Sequence, residues 1–170
     1  MPSDDPTTDR SRIDPPAQPG PEARLRELGL ELPGPHLPHD PLDAVVVHGG
    51  VARTSGQLPR DGDGVVVTGR LGADLDVDGG AAAARWCALN ALSVLRAELG
   101  SLDRIERLLT VLGFVACTPE FAAQPSVVDG ASQLLVEVFG DAGRHTRSAI
   151  GVAALPRGGA VEIEVVAALR

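Results

Sequence analysis

Charged side chains lie on two predicted strands near the C-terminal end of this sequence. Residues 145–155 and 160–167 have the pattern of two strands joined by a glycine-containing turn. Arg147 belongs to the first strand, and Glu162 and Glu164 alternate with valine and isoleucine on the second. A guanidinium can hold a planar anion through paired hydrogen bonds, and a carboxylate can take a proton from water. This hairpin is therefore where the chemistry of the chain is expected.

Side-chain alternation predicts which residues share a face of the hairpin. Successive side chains on a strand point to opposite faces, so Ile150 and Val152 form a core face of the first strand. The other face carries Arg147, a run of alanine and glycine and, on the second strand, Glu162 and Glu164. Thr or Lys would be more usual on a strand that faces water, and small residues indicate that another backbone comes close. We therefore expect this face to meet another segment or another chain.

A hairpin register predicts how far apart these charges are. The turn would pair Leu155 with Ala160. Glu162 then lies opposite Ala153, and Arg147 lies about six residues further along, roughly 20 Å away at the rise of a strand. Because such a distance exceeds a small ligand, the two side chains are expected to meet only across a subunit boundary.

Length and composition predict one domain without metal or disulfide. The chain has 170 residues, 44% of them hydrophobic, which is enough to bury a core. Cys87 and Cys117 are far apart and belong to no metal-binding motif, so both are expected to be buried and reduced, with no metal site. No apolar stretch approaches the roughly 20 residues of a membrane span, and no signal peptide is recognised. These features predict a cytoplasmic protein that binds no membrane.

The charge pattern argues against nucleic acid as a partner. The formal net charge is −8, and the 15 basic residues are all arginine because the chain has no lysine. One Trp, three Phe and no Tyr offer no stacking surface. Binding to nucleic acid normally uses both a basic stripe and stacking aromatic side chains, so nucleic acid is not expected as a partner.

Three segments are predicted along the chain. Residues 1–21 are polar and proline-rich, which is typical of a disordered tail. Residues 22–41 are predicted to be a short helix and a linker, and residues 42–170 form a single globular domain.

The order of elements in the globular domain predicts an α+β fold. The elements are strands at 43–48, 51–58 and 65–68, a helix from Asp78 to Gly100, a strand at 105–117, a helix from Pro125 to Gly140, and the C-terminal hairpin. This order predicts an antiparallel-rich mixed sheet with both helices on one face. The other face would expose small and apolar residues, so we expect the protein to self-associate through its sheets.

Several motifs together resemble the Rid/YjgF family of imine deaminases. They are Ser55-Gly56-Gln57-Leu58-Pro59, Gly113-Phe114-Val115, the stretch from Arg147 to Pro156, and Val161-Glu162-Ile163-Glu164. The similarity covers roughly residues 42–169. It implies a chorismate-mutase-like fold and a homotrimer with an internal barrel and ligand clefts between subunits. It also implies hydrolysis of reactive 2-imino acids, or their enamine tautomers, to 2-oxo acids and ammonia without a cofactor.

The resemblance also implies roles for individual residues. Arg147 matches the arginine that holds the substrate carboxylate, and Glu162 matches the glutamate that positions water near the imine carbon. Gly56 matches a glycine whose backbone approaches the ligand. Glu164 is interpreted as structural.

Three positions in the expected substrate site depart from the pattern of the family. Ala149 stands where many members have Cys, Ser or Thr, and Leu42 replaces an aromatic residue. Asp129 stands where asparagine is common at the edge of the cleft. A second carboxylate would repel the substrate carboxylate unless it is protonated or points at an arginine. The sequence therefore predicts an altered pocket.

Two other functions stay open at this point. The departures favour a non-catalytic trimer that binds a small carboxylate as a sensor or scaffold. Endoribonuclease activity is the third possibility, and the acidic, lysine-free composition argues against it.

Overall fold

The computed structural model describes residues 19–62 and 64–170, so residues 1–18 of the predicted tail lie outside the described part. The helices are α1 (Pro21–Glu27), α2 (Val77–Leu99) and α3 (Gln124–Phe139). The strands are β1 (Val45–His48), β2 (Val51–Thr54), β3 (Arg60–Asp61), β4 (Gly64–Val65), β5 (Ile105–Ala116), β6 (Thr146–Val152) and β7 (Val161–Leu169).

Five of the strands form one mixed sheet in the order β1-β2-β7-β5-β6, and β3 pairs with β4 separately. Only β5 and β6 run parallel in the large sheet. The predicted first hairpin is confirmed: His48 pairs with Val51, and Gly49 and Gly50 have φ angles of 57° and 76°. Two consecutive positive φ angles match the tight hairpin turns that favour glycine. The predicted mixed, mostly antiparallel sheet is confirmed.

The predicted C-terminal hairpin is wrong, because β5 lies between β6 and β7. β5 pairs in parallel with β6 on one side and antiparallel with β7 on the other. The connection at residues 153–160 therefore crosses the end of β5 instead of forming a tight turn. A long, apolar strand is favoured at the centre of a sheet, where both of its edges are hydrogen-bonded; β5 is such a strand, with 12 residues.

Local signals explain where the two long helices begin and end. The side chain of Asp76 caps α2 by accepting a hydrogen bond from the backbone N–H of Gly79 at 2.8 Å, two residues before the predicted start at Asp78. The helix ends at Gly100, which has a left-handed φ of 78°. Helix α3 ends at Gly140, as predicted. No helix in the described part of the chain is long and apolar enough to span a bilayer.

The core lies between the helices and one face of the sheet, as predicted. Val161, Ile163 and Val165 of β7 and Val111 of β5 are all fully buried there. The other face is uncovered in the single chain, and Ile150 lies there with 46% of its surface exposed, so the prediction of a core face at Ile150 is wrong. Cys87 and Cys117 are both buried and free, which confirms the prediction for them.

The prediction that Arg147 and Glu162 share a face is also wrong. Arg147 pairs with the buried Val111 and points toward α3, so it lies on the helix side of the sheet. Glu162 alternates with buried residues of β7 and pairs with Phe114, so it lies on the uncovered side. The missing hairpin explains the error, because the register was derived from a turn that does not exist.

Small residues on β5 and β6 let helix α3 approach the sheet closely. Gly113 pairs with Ala149, and a Cβ atom on Gly113 would lie 2.6 Å from Cγ2 of Val128. Any side chain at this position would push the helix away. The small residues on the Arg147 strand were predicted to meet another backbone, whereas the atoms nearest a Cβ on Gly113 or on Gly151 are side-chain atoms.

Candidate active site

An irregular pairing between the β2 segment and β7 creates the surroundings of Gly56. Arg53 pairs with Val166, and Gln57 pairs with Ile163, so four steps along one chain segment match three along the other. Gln57 and Ile163 exchange two backbone hydrogen bonds at 2.9 and 3.0 Å. The extra residue is accommodated as a β-bulge, a feature often found next to functional sites.

Gly56 lies against the side chain of Glu162. A Cβ atom on Gly56 would overlap the Glu162 carboxylate. The bulge therefore provides a space that only glycine leaves open. The absence of a side chain at position 56 allows the carboxylate to lie beside the backbone of the bulge.

Glu162 faces a cavity of about 460 Å³. This volume is within the ~300–1,000 Å³ of small-molecule sites. Leu42, Gln57 and Arg60 contribute to its walls, together with Gly56. The structure thus brings together three of the predicted site residues, Leu42, Gly56 and Glu162.

The surroundings of Glu162 make its carboxylate harder to ionise. Burial raises the pKa of Glu162, the negative charge of Glu164 raises it further, and the positive charge of Arg60 lowers it. A carboxylate whose pKa is raised is a stronger base, so it is better suited to exchange protons with water or substrate. Glu164 thus affects the site through its charge.

Arg60 was not predicted as a site residue. It is only 9% exposed, and its backbone oxygen accepts a hydrogen bond at 2.9 Å from the side chain of Asn90 on α2. Asn90 is itself 1% exposed and also bonds to the backbone oxygen of Trp86. A buried amide in the apolar face of a helix is the one signal in the sequence that could have indicated this anchor.

Arg147 belongs to a second group of polar side chains, on the helix side of the sheet. Its Nη1 atom donates to Oδ1 of Asp129 at 2.7 Å and to Oγ of Ser132 at 3.1 Å, both on α3. Within the described residues, Nε and Nη2 of Arg147 make no polar contact. One edge of the guanidinium is therefore held by the helix and the other is available to a planar anion.

His145 extends this group, although the sequence analysis did not identify it as a site residue. Its Nδ1 atom lies 2.6 Å from the backbone oxygen of Gly143, and its Nε2 lies 3.1 Å from Oγ of Ser132. Because a carbonyl only accepts, Nδ1 donates to Gly143, while Nε2 and the hydroxyl of Ser132 share the second hydrogen bond. In the predicted strand at 145–155, side-chain alternation places His145 on the same face as Arg147, which follows two residues later.

A larger cavity lies elsewhere on the molecule. It has a volume of about 690 Å³ and is lined by residues of α1 and α3, including Ser132 and Arg24. It does not contain Glu162 or Arg147. We assign the candidate active site to the smaller cavity because its carboxylate has the shifted pKa and is surrounded by the predicted residues.

Comparison with known proteins identifies the family. Residues 22–169 match the family described as "YjgF/chorismate_mutase-like, putative endoribonuclease". The chain belongs to this YjgF/chorismate mutase-like family. A curated relative, protein TCP17 of Trypanosoma cruzi, is 45% identical over 148 residues, which are 86% of this chain and 92% of the relative.

Two solved structures of similar proteins share the YjgF-like fold. Atu1372 of Agrobacterium tumefaciens, described as of unknown function, is 40% identical, with a TM-score of 0.80 over 88% of this chain and 91% of its own. A protein from Shewanella oneidensis, described as a putative endoribonuclease, is 34% identical, with a TM-score of 0.85 over 89% of this chain and 100% of its own.

The predicted site residues of this YjgF-family chain form two groups. Leu42, Gly56 and Glu162 lie at the 460 Å³ cavity, whereas Arg147 and Asp129 lie together on the other side of the sheet. Ala149 is partly buried against the core next to them. On β5, Glu162 pairs with Phe114 and Arg147 pairs with Val111. These two positions are three residues apart, which is about 10 Å along a strand. A single chain does not bring the two groups to one ligand.

Proposed function

We propose that this YjgF-family protein is a hydrolytic deaminase of 2-imino acids and their enamine tautomers, acting as a homotrimer. Each site would combine Glu162 of one copy with Arg147 of the next copy. The observation that carries the proposal is the state of Glu162, a carboxylate with a raised pKa in a cavity of small-molecule size beside Gly56. No cofactor takes part.

The proposed reaction needs only water, a proton acceptor and a carboxylate clamp. Arg147 binds the substrate carboxylate through the edge formed by Nε and Nη2. Glu162 accepts a proton as the oxygen of water bonds to the imine carbon, and it returns this proton to nitrogen, which gives a carbinolamine. Glu162 then passes the proton of the carbinolamine hydroxyl to the amino nitrogen. The carbon–nitrogen bond breaks, ammonia leaves, and a 2-oxo acid remains. The raised pKa of Glu162 suits both transfers.

The positions of the two groups support a site shared between copies. Arg147 lies on the helix side of the sheet and Glu162 on the uncovered side, so they could act on one small molecule only if different copies contribute them. The uncovered sheet face, which includes the exposed Ile150 and Val46, is the surface available for association.

The proposal is tested by measuring ammonia release. A 2-imino acid is generated in the cuvette by an amino-acid oxidase, and the rate of ammonia formation is compared with and without the protein. We expect the protein to accelerate release above the spontaneous rate, and single-stranded RNA incubated under the same conditions to stay intact because the chain is acidic and lacks lysine. No acceleration with any small 2-imino acid would reject the deaminase.

Replacing Ile150 with aspartate is expected to dissociate the trimer. Ile150 is 46% exposed on the uncovered sheet face, so in an assembly through this face the new carboxylate would be buried without a partner. We expect the dissociation constant to rise on the order of 100-fold or more, seen by light scattering after size-exclusion chromatography.

The control for this prediction is Val136→Asp. Val136 is 39% exposed on α3, on the helix side of the molecule, so its replacement should leave the assembly unchanged. If the wild-type protein is already a monomer, or if both variants dissociate alike, assembly through the sheet face is excluded.

A second function, binding of a small carboxylate without turnover, is favoured by the ion pair of Arg147. Asp129 already neutralises this guanidinium at 2.7 Å, and neither Ala149 nor Leu42 supplies a polar side chain to a substrate. In this case calorimetry would detect binding of 2-oxo acids, while ammonia release would stay at the spontaneous rate. Absence of both binding and turnover would reject this function as well.

We expect Asp129→Asn to strengthen carboxylate binding. The substitution removes a negative charge next to the guanidinium but keeps the shape of the side chain, so the affinity for a 2-oxo acid should rise about 3- to 10-fold. Stability should change little, because Asp129 is half exposed and such ion pairs contribute little. Calorimetry at low and at high salt measures the effect. Weaker binding would instead mean that Asp129 is needed to hold Arg147 in position.

A further inference from the structure

The guanidinium of Arg147 is held by two side chains of α3 that differ in charge. Its Nη1 atom donates to the carboxylate of Asp129 at 2.7 Å and to the hydroxyl of Ser132 at 3.1 Å, with one proton for each acceptor. The negative charge of Asp129 opposes a second carboxylate at the guanidinium, whereas the hydroxyl of Ser132 is neutral. Ser132 is therefore the contact that can orient Arg147 without competing with a carboxylate ligand.

The hydroxyl of Ser132 is oriented in turn by His145. Its Oγ atom lies 3.1 Å from Nε2 of His145, and Nδ1 of the same ring lies 2.6 Å from the backbone oxygen of Gly143. In a neutral imidazole whose Nδ1 donates to this carbonyl, Nε2 is an acceptor. The Ser132 hydroxyl then donates to His145 and accepts from Arg147, so a lone pair of Oγ is directed at the guanidinium.

Contacts with β5 hold the backbone on both sides of His145. On one side, the backbone oxygen of Arg144 accepts a hydrogen bond from Nη2 of Arg107 at 3.3 Å. On the other side, the hydroxyl of Thr146 donates to the backbone oxygen of Leu109 at 2.9 Å. An imidazole on a backbone that is held in this way loses little freedom when it makes its two hydrogen bonds.

Gly143 connects this series of hydrogen bonds back to α3. The residue is buried, and a Cβ atom on it would lie 2.5 Å from the backbone oxygen of Leu135 and 2.9 Å from Cα of Val136. Only glycine lets the turn lie so close to the helix. The carbonyl that His145 contacts is therefore packed against the same helix that carries Ser132.

We propose that Ser132 and His145 are positioning residues, which orient Arg147 for binding of the substrate carboxylate, and that His145 acts through Ser132. This inference rests on the proposed function, in which the Nε and Nη2 edge of Arg147 binds that carboxylate. A guanidinium that is already oriented loses less freedom on binding than one that must first be ordered. Because water addition depends on Glu162, the two residues should affect substrate affinity and leave the chemical step unchanged.

Ser132→Ala tests the contact with the guanidinium. We expect the KM for ammonia release and the calorimetric Kd for a 2-oxo acid to rise about 3- to 10-fold, as for the loss of one hydrogen bond. The kcat value should stay within about twofold, because the interaction is the same before and during the reaction. Ser132→Thr keeps the hydroxyl and should restore KM and Kd to within about twofold of the wild type.

His145→Phe tests whether the imidazole acts through the hydroxyl. Phenylalanine keeps a planar ring but lacks both nitrogen atoms, so KM and Kd should rise about 2- to 5-fold. Combining His145→Phe with Ser132→Ala should cause no further rise, because no hydroxyl is left to orient. If Ser132→Ala does not fold, as judged by its urea midpoint, His145→Phe and Ser132→Thr still allow the comparison with the wild type.

Ser126→Ala is the matched control on the same helix. Ser126 is exposed, and its side chain makes no hydrogen bond within residues 19–62 and 64–170. Its replacement should leave KM, Kd and kcat unchanged. An equal rise in KM for Ser126→Ala and Ser132→Ala would show a general effect on α3 and would overturn the positioning role.

The outcomes separate the positioning role from the reaction. Unchanged KM and Kd in Ser132→Ala, a loss confined to kcat, or additive effects of Ser132→Ala and His145→Phe would overturn the inference while the deaminase stands. If no imine is hydrolysed but a 2-oxo acid binds, and Ser132→Ala weakens this binding while Ser132→Thr restores it, the deaminase fails and the positioning role is supported. Absence of both binding and turnover in the wild type would reject both.

Discussion

Mixing two inactive variants should restore activity. Arg147→Ala and Glu162→Gln are each expected to lose at least about 100-fold in the rate of ammonia release, because one loses the carboxylate clamp and the other the proton acceptor. In mixed trimers, some interfaces combine the intact Arg147 of one copy with the intact Glu162 of another. For random exchange, about one quarter of the interfaces would be complete, so activity should return to about a quarter of the wild-type rate.

The mixing experiment depends on exchange of subunits. The two variants are unfolded and refolded together, or co-expressed with different tags, the tags are used to verify exchange, and the whole mixture is assayed. The control is the double variant, which carries both substitutions in every copy and can therefore form no complete site. Activity that stays at the level of this control after demonstrated exchange would show that one chain supplies both groups or that they do not act together.

Glu162→Gln should also make the protein more resistant to unfolding at neutral pH. Burial and the charge of Glu164 raise the pKa of Glu162, so the folded protein binds this proton more tightly than the unfolded chain does. Glu162 therefore contributes less to the free energy of unfolding as the pH rises from the ordinary pKa of glutamate, which applies in the unfolded chain, through the raised pKa in the folded protein. Glutamine removes the charge, so the variant should be more stable than the wild type at pH values above this interval. Below the interval, the two proteins should be equally stable.

This effect is measured as the difference in urea midpoint between variant and wild type at several pH values and at equal protomer concentration. Glu164→Gln is the matched control, because it removes one cause of the raised pKa of Glu162 and keeps the carboxylate itself. Glu164→Gln should lower the pKa of Glu162 and so move the acidic limb of the pH profile of kcat/KM to lower pH. A stability difference for Glu162→Gln that does not depend on pH, or that is greatest in acid, would contradict the assignment.

The sequence predicts elements and motifs here better than it predicts their pairing. Local structure forms as expected at Gly49-Gly50, in the alanine-rich stretch that ends at Gly100 and in the apolar β5. The strand that pairs with β7 was predicted wrongly. An eight-residue connection can close a hairpin or cross the end of a third strand, and the alternation of side chains is the same in both cases. The error in pairing placed Arg147 on the wrong face.

The contacts of the charged residues depend on tertiary structure, so the sequence could not predict them. Asp129 precedes Arg147 by 18 residues, and their contact requires α3 to lie close against β6. Arg60 acts on Glu162 only because a bulge and a buried asparagine bring β3 to the cavity. The sequence could have indicated His145, because it lies two residues before Arg147, next to the start of β6.

The position of β5 between β7 and β6 has a consequence for variation among related chains. Arg147 and Glu162 are both registered against β5, at Val111 and Phe114, through ladders of backbone hydrogen bonds. The irregular pairings of β5 with β7 lie before Val111, outside the interval that separates the two charges. The connection at 153–160 crosses the end of the strand without setting this interval. It can therefore lengthen or shorten without moving either charged group along the sheet, whereas one residue added to β5 between Val111 and Phe114 would shift them relative to each other.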